Sequence, residues 1–122
     1  MGYEVKIDEC RKDLTAKERI AIKDTTNAVK LDEATKEGTV NIVPEYYAIL
    51  KIHNDKVADD YLNYLIVDKD GTKYVTGSNS FWSSFMNIYA EMINENDDWS
   101  IDVYRCPSKN YKGKDFITCS IA

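Results

Sequence analysis

Arg105, Lys109, Tyr111, Lys112 and Lys114 fall within ten positions of the sequence, with Tyr104 just before them. Interleaved cations and rings suit an extended polyanion that carries flat bases. Ammonium and guanidinium groups meet phosphates, and any base can stack on an aromatic face. The same residues would also suit a solvated hairpin tip whose lysines serve solubility. Earlier in the chain, Tyr47 and Lys51 could extend such a surface or lie beneath the N-terminal section. Tyr61, Lys73 and Tyr74 complete the candidate set, drawn from a chain of 122 residues with nine tyrosines.

Other chemistries find fewer residues. Cys10, Cys106 and Cys119 have no C-x-x-C spacing, and an odd count in a chain without an export signal points to reduced thiols. Cys106 and Cys119 could still face each other across a hairpin. His53 is the only histidine, too few for an ordinary zinc site. Asp68-Lys69-Asp70-Gly71 opens like a calcium loop, yet the twelfth position is Asn79, where such a loop needs glutamate. No nucleophile elbow, phosphate loop or zinc-protease motif occurs, and Asp59-Asp60 and Asp97-Asp98 sit in polar stretches. The expectation is a binding protein, not an enzyme, with no cofactor and no metal.

The net charge of −5 argues against polyanion binding only if it is spread evenly. It is not. Residues 1–44 carry 8 Lys/Arg and 9 Asp/Glu, residues 45–104 carry 4 and 11, and residues 105–122 carry 4 and 1. Local field decides what a surface attracts, so a basic end on an acidic body keeps a polyanion partner in play. The acidic middle allows a different class, a protein-binding inhibitor or adaptor of counter-defence type. No apolar run reaches membrane-spanning length, and Met1–Lys6 has no apolar signal core. One intracellular domain without membrane contact is expected, in an oligomeric state the sequence leaves open.

The elements that would position the candidates are mostly strands. Thr15-Ala16-Lys17-Glu18 is a capping-box pattern for a short helix. Val29 with Leu31, and Val40 with Ile42, alternate as two short strands around a Glu37-Gly38 turn. From residue 45 the pattern sharpens. Tyr46 to His53 alternates, and Tyr61 to Asp68 and Thr72 to Thr76 read as a hairpin closed by Asp70-Gly71. If that turn has two residues, Val67 pairs with Tyr74 and Ile66 with Val75. Ser80 can cap a helix reaching Ile93, with Phe81, Phe85, Ile88 and Met92 on one stripe. Trp99, Ile101 and Val103 begin a fourth strand, Ile117, Cys119 and Ile121 lie on a fifth, and Trp82 and Trp99 are expected in the core. This β-β-β-α-β-β order over residues 45–122 matches an OB-fold, a five-stranded barrel, with residues 1–44 as an N-terminal extension. An open α+β sheet has the same element order.

The run from Tyr61 to Ser78, the helix after it and Ser108-Lys109-Asn110-Tyr111-Lys112-Gly113 resemble small single-stranded-DNA-binding proteins of bacteriophages and mobile elements. About two-thirds of the chain, residues 45–122, carries the likeness. It implies non-sequence-specific binding of single-stranded DNA, protecting or presenting it in phage or plasmid replication or recombination. It also implies replication or recombination proteins as partners and a bacterial host cytoplasm. Many such proteins end in an acidic tail, whereas this sequence ends Cys119-Ser120-Ile121-Ala122.

Overall fold

The computed structural model describes residues 3–10, 12–54, 60–95, 97–107 and 114–122. Strands predominate. In chain order the elements are β1 (Tyr3–Cys10), α1 (Ala16–Lys23), β2 (Val29–Lys30), α2 (Leu31–Glu37), β3 (Val40–Ile42), β4 (Pro44–Asn54), β5 (Tyr61–Asp68), β6 (Lys73–Thr76), α3 (Asn79–Met92), β7 (Ile101–Pro107) and β8 (Asp115–Ile121). They form two compact units, one of Met1–Val29 and Glu45–Gly77, the other of Lys30–Pro44 and Ser78–Ala122. Among the described residues no helix is long and apolar enough to cross a membrane.

The first unit is built on a five-stranded sheet in the order β1-β4-β5-β6-β2. Helix α1 starts where the capping box places it: Thr15 Oγ1 accepts from the Glu18 amide at 3.2 Å, and the Thr15 amide donates to Glu18 Oε1 at 3.0 Å. Its Ile22 packs with Ala48, Leu65, Val67 and Val75, and Ile7, Cys10, Leu14, Ala28 and Tyr46 surround that cluster. Strands β1 and β4 run antiparallel from Tyr3↔Asn54 to Cys10↔Ala48, with an irregularity between Ile7 and Glu9. That bulge, with Glu4, Lys6 and Asp8 nearby, blunts an edge that could otherwise recruit another strand.

The β5–β6 hairpin differs from its expected register by one residue. Val67 pairs with Lys73, Ile66 with Tyr74, and Leu65 with Val75. A primed two-residue turn needs positive φ at its first central position, here Asp70, which does not have it; Gly71, the second, does (φ 93°). A three-residue loop forms instead. The Gly71 amide donates to the Asp68 carbonyl at 2.9 Å, and the Asp68 amide to the Thr72 carbonyl at 2.8 Å. Two carboxylates hold the loop, Asp68 Oδ1 accepting from the Asp70 amide and Asp70 Oδ1 from the Thr72 amide. A slip of one residue exchanges faces, so Lys73 joins Leu65, Val67 and Val75 on the face that meets α1.

In the second unit β3, β7 and β8 form an antiparallel sheet in that order. Ile42, Ile101, Val103, Ile117 and Cys119 occupy one face and are buried. Phe81 and Phe85 of α3 are fully buried, their rings 6.0 Å apart, and Trp82, Tyr89 and Trp99 continue the aromatic cluster. Trp82 is buried as expected, while Trp99 is half-buried and precedes the strand rather than opening it. The helix starts at Asn79, because Ser78 is the cap: its Oγ accepts from the Phe81 amide at 3.2 Å. Ser80, expected in that role, donates to the Ile117 carbonyl of β8 at 3.1 Å.

Two further expectations are corrected. Leu31 begins a helix rather than continuing a strand. Leu31 and Thr35 share a buried helical face, and Thr35 Oγ1 donates to the Leu31 carbonyl at 2.7 Å. Gly38 ends that helix at φ 152°, a backbone region essentially reserved for glycine. Second, the five strands over residues 45–122 form in the expected order but close no barrel among the described residues. Both pairing edges of β4 are taken, by β1 and β5, and both edges of β7, by β3 and β8. Residues 1–44 supply sheet neighbours and helices.

Phe85 touches three other rings and has no exposed surface. Phe85→Ala should cost about 3–5 kcal/mol in a urea melt. A loss well under about 1 kcal/mol would mean the aromatic cluster does not hold this unit together.

Candidate nucleic-acid interface

The hairpin of β7 and β8 is paired without a break from Ile101↔Ile121 to Pro107↔Asp115. Lys109, Tyr111 and Lys112 lie outside the described residues, in the segment that joins these two strands. Lys114 is exposed beside it and, with Arg105, Cys106, Pro107 and Asp115, lines an open concavity of about 270 Å³. Arg105 is not a free cation. Its Nη1 pairs with Asp115 Oδ1 at 2.8 Å, its Nε donates to Thr35 Oγ1 at 3.1 Å, and its Nη2 donates to the Asp32 carbonyl. It braces the hairpin against α2. Tyr104 is half-buried, with its hydroxyl 2.6 Å from Ser120 Oγ. Cys106 pairs with Phe116 and Cys119 with Val103, which puts the two thiols on opposite faces, and all three cysteines are free. Burial pushes the Cys119 thiol up to about 12, so it stays protonated and unreactive near neutrality.

The remaining candidates belong to the first unit. Tyr47 is 3% exposed and donates to Glu9 Oε2 at 3.0 Å, so its ring offers no face to a base. Lys73 is committed as well. Its Nζ donates to the carbonyls of Ala21 and Asp24, both at 2.8 Å, at the end of α1, where the Ala21 carbonyl also accepts from the Asp24 amide at 3.2 Å. That position follows from the one-residue change of register. Tyr74 is half-buried, and its phenol is pushed up, first by burial and then by the charges of Asp68 and Asp70. Tyr61 and Lys51 are exposed.

No family model, curated protein or solved structure matches the chain. The arrangement of side chains must therefore carry any reading of function.

Lys51 lines a concavity of about 250 Å³ with Glu4, Lys6, His53 and Asp60. Register makes Lys6 its direct neighbour across the strands and Glu4 the neighbour of His53. Like charges so placed repel. Glu4, 3.5 Å from Lys6, and Asp60, 3.8 Å from Lys51, offset that repulsion. Among the described residues no group of three His, Cys, Asp or Glu is placed to hold a metal ion. Sequence reading missed Lys6, whose pairing depends on strands more than forty positions apart. It also passed over Phe116, although that residue alternates out of phase with Ile117, Cys119 and Ile121.

His53 Nδ1 donates to Asp60 Oδ1 at 2.7 Å, and this bond, then the charges of His53, Lys51 and Lys6, holds the Asp60 carboxyl below its ordinary range. A depressed carboxyl contributes stability above its unfolded pKa of about 3.9 that is lost as pH falls through the folded value. Asp60→Asn should therefore show a shallower loss of stability than the parent between about pH 5 and about pH 2. Urea midpoints across that range test this; identical slopes would mean the contact does not persist in solution.

Proposed function

We propose that the protein binds single-stranded DNA without sequence specificity, protecting or presenting it in phage or plasmid replication or recombination. The observation that carries the reading is the β7–β8 hairpin. Its strands bracket the segment in which Lys109, Tyr111 and Lys112 fall, and Lys114 stands exposed at its border. The resemblance of residues 45–122 to phage single-stranded-DNA-binding proteins supports it through element order; an OB-type barrel is the finer form of that likeness. Sequence-tolerant binding needs only cations along a backbone and rings beneath bases, so a closed barrel is not a requirement. Tyr47, Lys73 and Arg105 are structural in this reading. Lys51, Tyr61 and Tyr74 remain accessible in whole or part.

Electrophoretic mobility shift at low salt tests the proposal. An oligonucleotide of about thirty nucleotides should be bound at micromolar concentration or below, in clear preference to duplex of the same sequence. No shift with either would sink the reading and favour the protein-binding inhibitor or adaptor, with the acidic stretch 45–104 as its contact surface.

Replacing Lys109, Lys112 and Lys114 together by Ala should weaken binding about equally across sequences. It should also flatten the dependence of log K on log salt by about 0.7 for each phosphate that is no longer neutralised. An unchanged slope and affinity would place the DNA away from this hairpin.

A further inference from the structure

Phe116 breaks the pattern of its own sheet. An antiparallel sheet with one packed face normally turns polar residues to solvent. The packed face of β3, β7 and β8 follows this rule with Ile42, Ile101, Val103, Ile117 and Cys119. The other face carries Asn41, Asp102, Tyr104, Cys106, Phe116, Thr118 and Ser120, and not one of these seven is buried. Phe116 is nevertheless an aromatic ring, 40% exposed. Tyr104 shares that face on the adjacent strand. It pairs with Thr118 while Phe116 pairs with Cys106, so the two rings stand on a diagonal. Diagonal positions are about 7–8 Å apart, within reach of large side chains.

The floor between and beside these rings is fixed. Tyr104 is held through its hydroxyl to Ser120 Oγ at 2.6 Å, and Thr118 Oγ1 lies 3.0 Å from Ser84 Oγ of α3. A ring held in place loses little entropy when a ligand covers it. The two ends of this sheet differ in charge. At the hairpin end Lys114 is exposed, and Asp115, which register turns to the packed side with Ile117, is paired with Arg105. At the opposite end Asp102 accepts from Asn41 Nδ2 at 3.0 Å. An apolar partner would gain little from an exposed lysine beside a ring, whereas bases on a phosphate backbone use the ring and the lysine together.

We infer that the open face of the β3-β7-β8 sheet is a base-stacking surface for single-stranded DNA, with Phe116 as its principal platform and Tyr104 as the second. The inference rests on the proposed DNA-binding function and assigns the stacking role to a residue the basic segment does not contain.

Anisotropy titrations of the full chain with a labelled oligonucleotide of about thirty nucleotides test it. Phe116→Leu keeps an apolar side chain but removes the aromatic face. It should weaken binding about 5- to 100-fold with the salt slope unchanged, and Phe116→Trp should restore parent-like affinity. The parent protein supplies a second readout that needs no variant. Cys106 lies directly across from Phe116 on the same face. Saturating oligonucleotide should slow maleimide labelling of Cys106. If the parent binds but Phe116→Leu binds within about twofold of it, or Cys106 labels at an unchanged rate, the stacking assignment is wrong and the DNA-binding reading survives. If the parent binds no oligonucleotide, both fall together.

Discussion

The register between β7 and β8 is the constraint on which the second unit depends. Seven consecutive pairs, Ile101↔Ile121 to Pro107↔Asp115, decide which side chains turn inward. A shift of one residue would move Ile117 and Cys119 into solvent and Phe116 and Thr118 into the core. The aromatic cluster of α3 holds that register by accepting only the inward set, and Ser80 ties the helix to the Ile117 carbonyl. Arg105 does the same from the side of α2, bonding Thr35 and the Asp32 carbonyl while it pairs with Asp115. The inward face thus fixes the outward one, where the proposed ligand would lie.

A second constraint is that unpaired strand edges are costly to leave open. Strand β4 finds β1 and strand β7 finds β3, both from the first 44 residues. The remaining edges are managed by other means: a bulge and alternating charges on β1, two residues only in β2, three in β3, and a serine from α3 on β8. Each unit therefore combines an early and a late part of the chain, and neither could complete its sheet from the late part alone.

Local signals were readable in the sequence wherever one short stretch determined the outcome. Thr15 and Glu18 form the capping box their spacing implies, and Phe81 and Phe85 lie buried on the helical stripe. Reading failed where the answer depended on distant chain or on a single torsion angle. Asp70-Gly71 promised a two-residue turn, but Asp70 lacks positive φ, and the added residue moved Lys73 to the helix-facing side. Leu31 looked like a strand residue because Val29 precedes it; only its bond from Thr35, four positions on, reveals the helix. Of the candidate site, Lys51, Tyr61 and Lys114 are exposed as a ligand surface requires. Tyr47, Lys73 and Arg105 took partners at Glu9, at the end of α1 and at Asp115, which no composition or periodicity could disclose.

How Arg105 is used bears on the kind of recognition this surface could perform. A guanidinium presents a planar fork that reads base edges or carboxylates in two-pronged geometry, whereas an ammonium is a flexible point charge. Here the fork is engaged inside the protein, on Asp115, Thr35 and the Asp32 carbonyl. The other cations of residues 105–122 are all lysines, Lys109, Lys112 and Lys114. Lysines meet phosphates without favouring a base, and rings such as Phe116 and Tyr104 stack under any base. The acidic stretch 45–104 acts against binding only within about a Debye length, roughly 8 Å at physiological salt. A lysine and a ring at the hairpin end can therefore act locally despite a net charge of −5. On the proposed surface, lysines and rings would favour sequence-tolerant contact, and the Arg105 fork is already occupied in holding the fold.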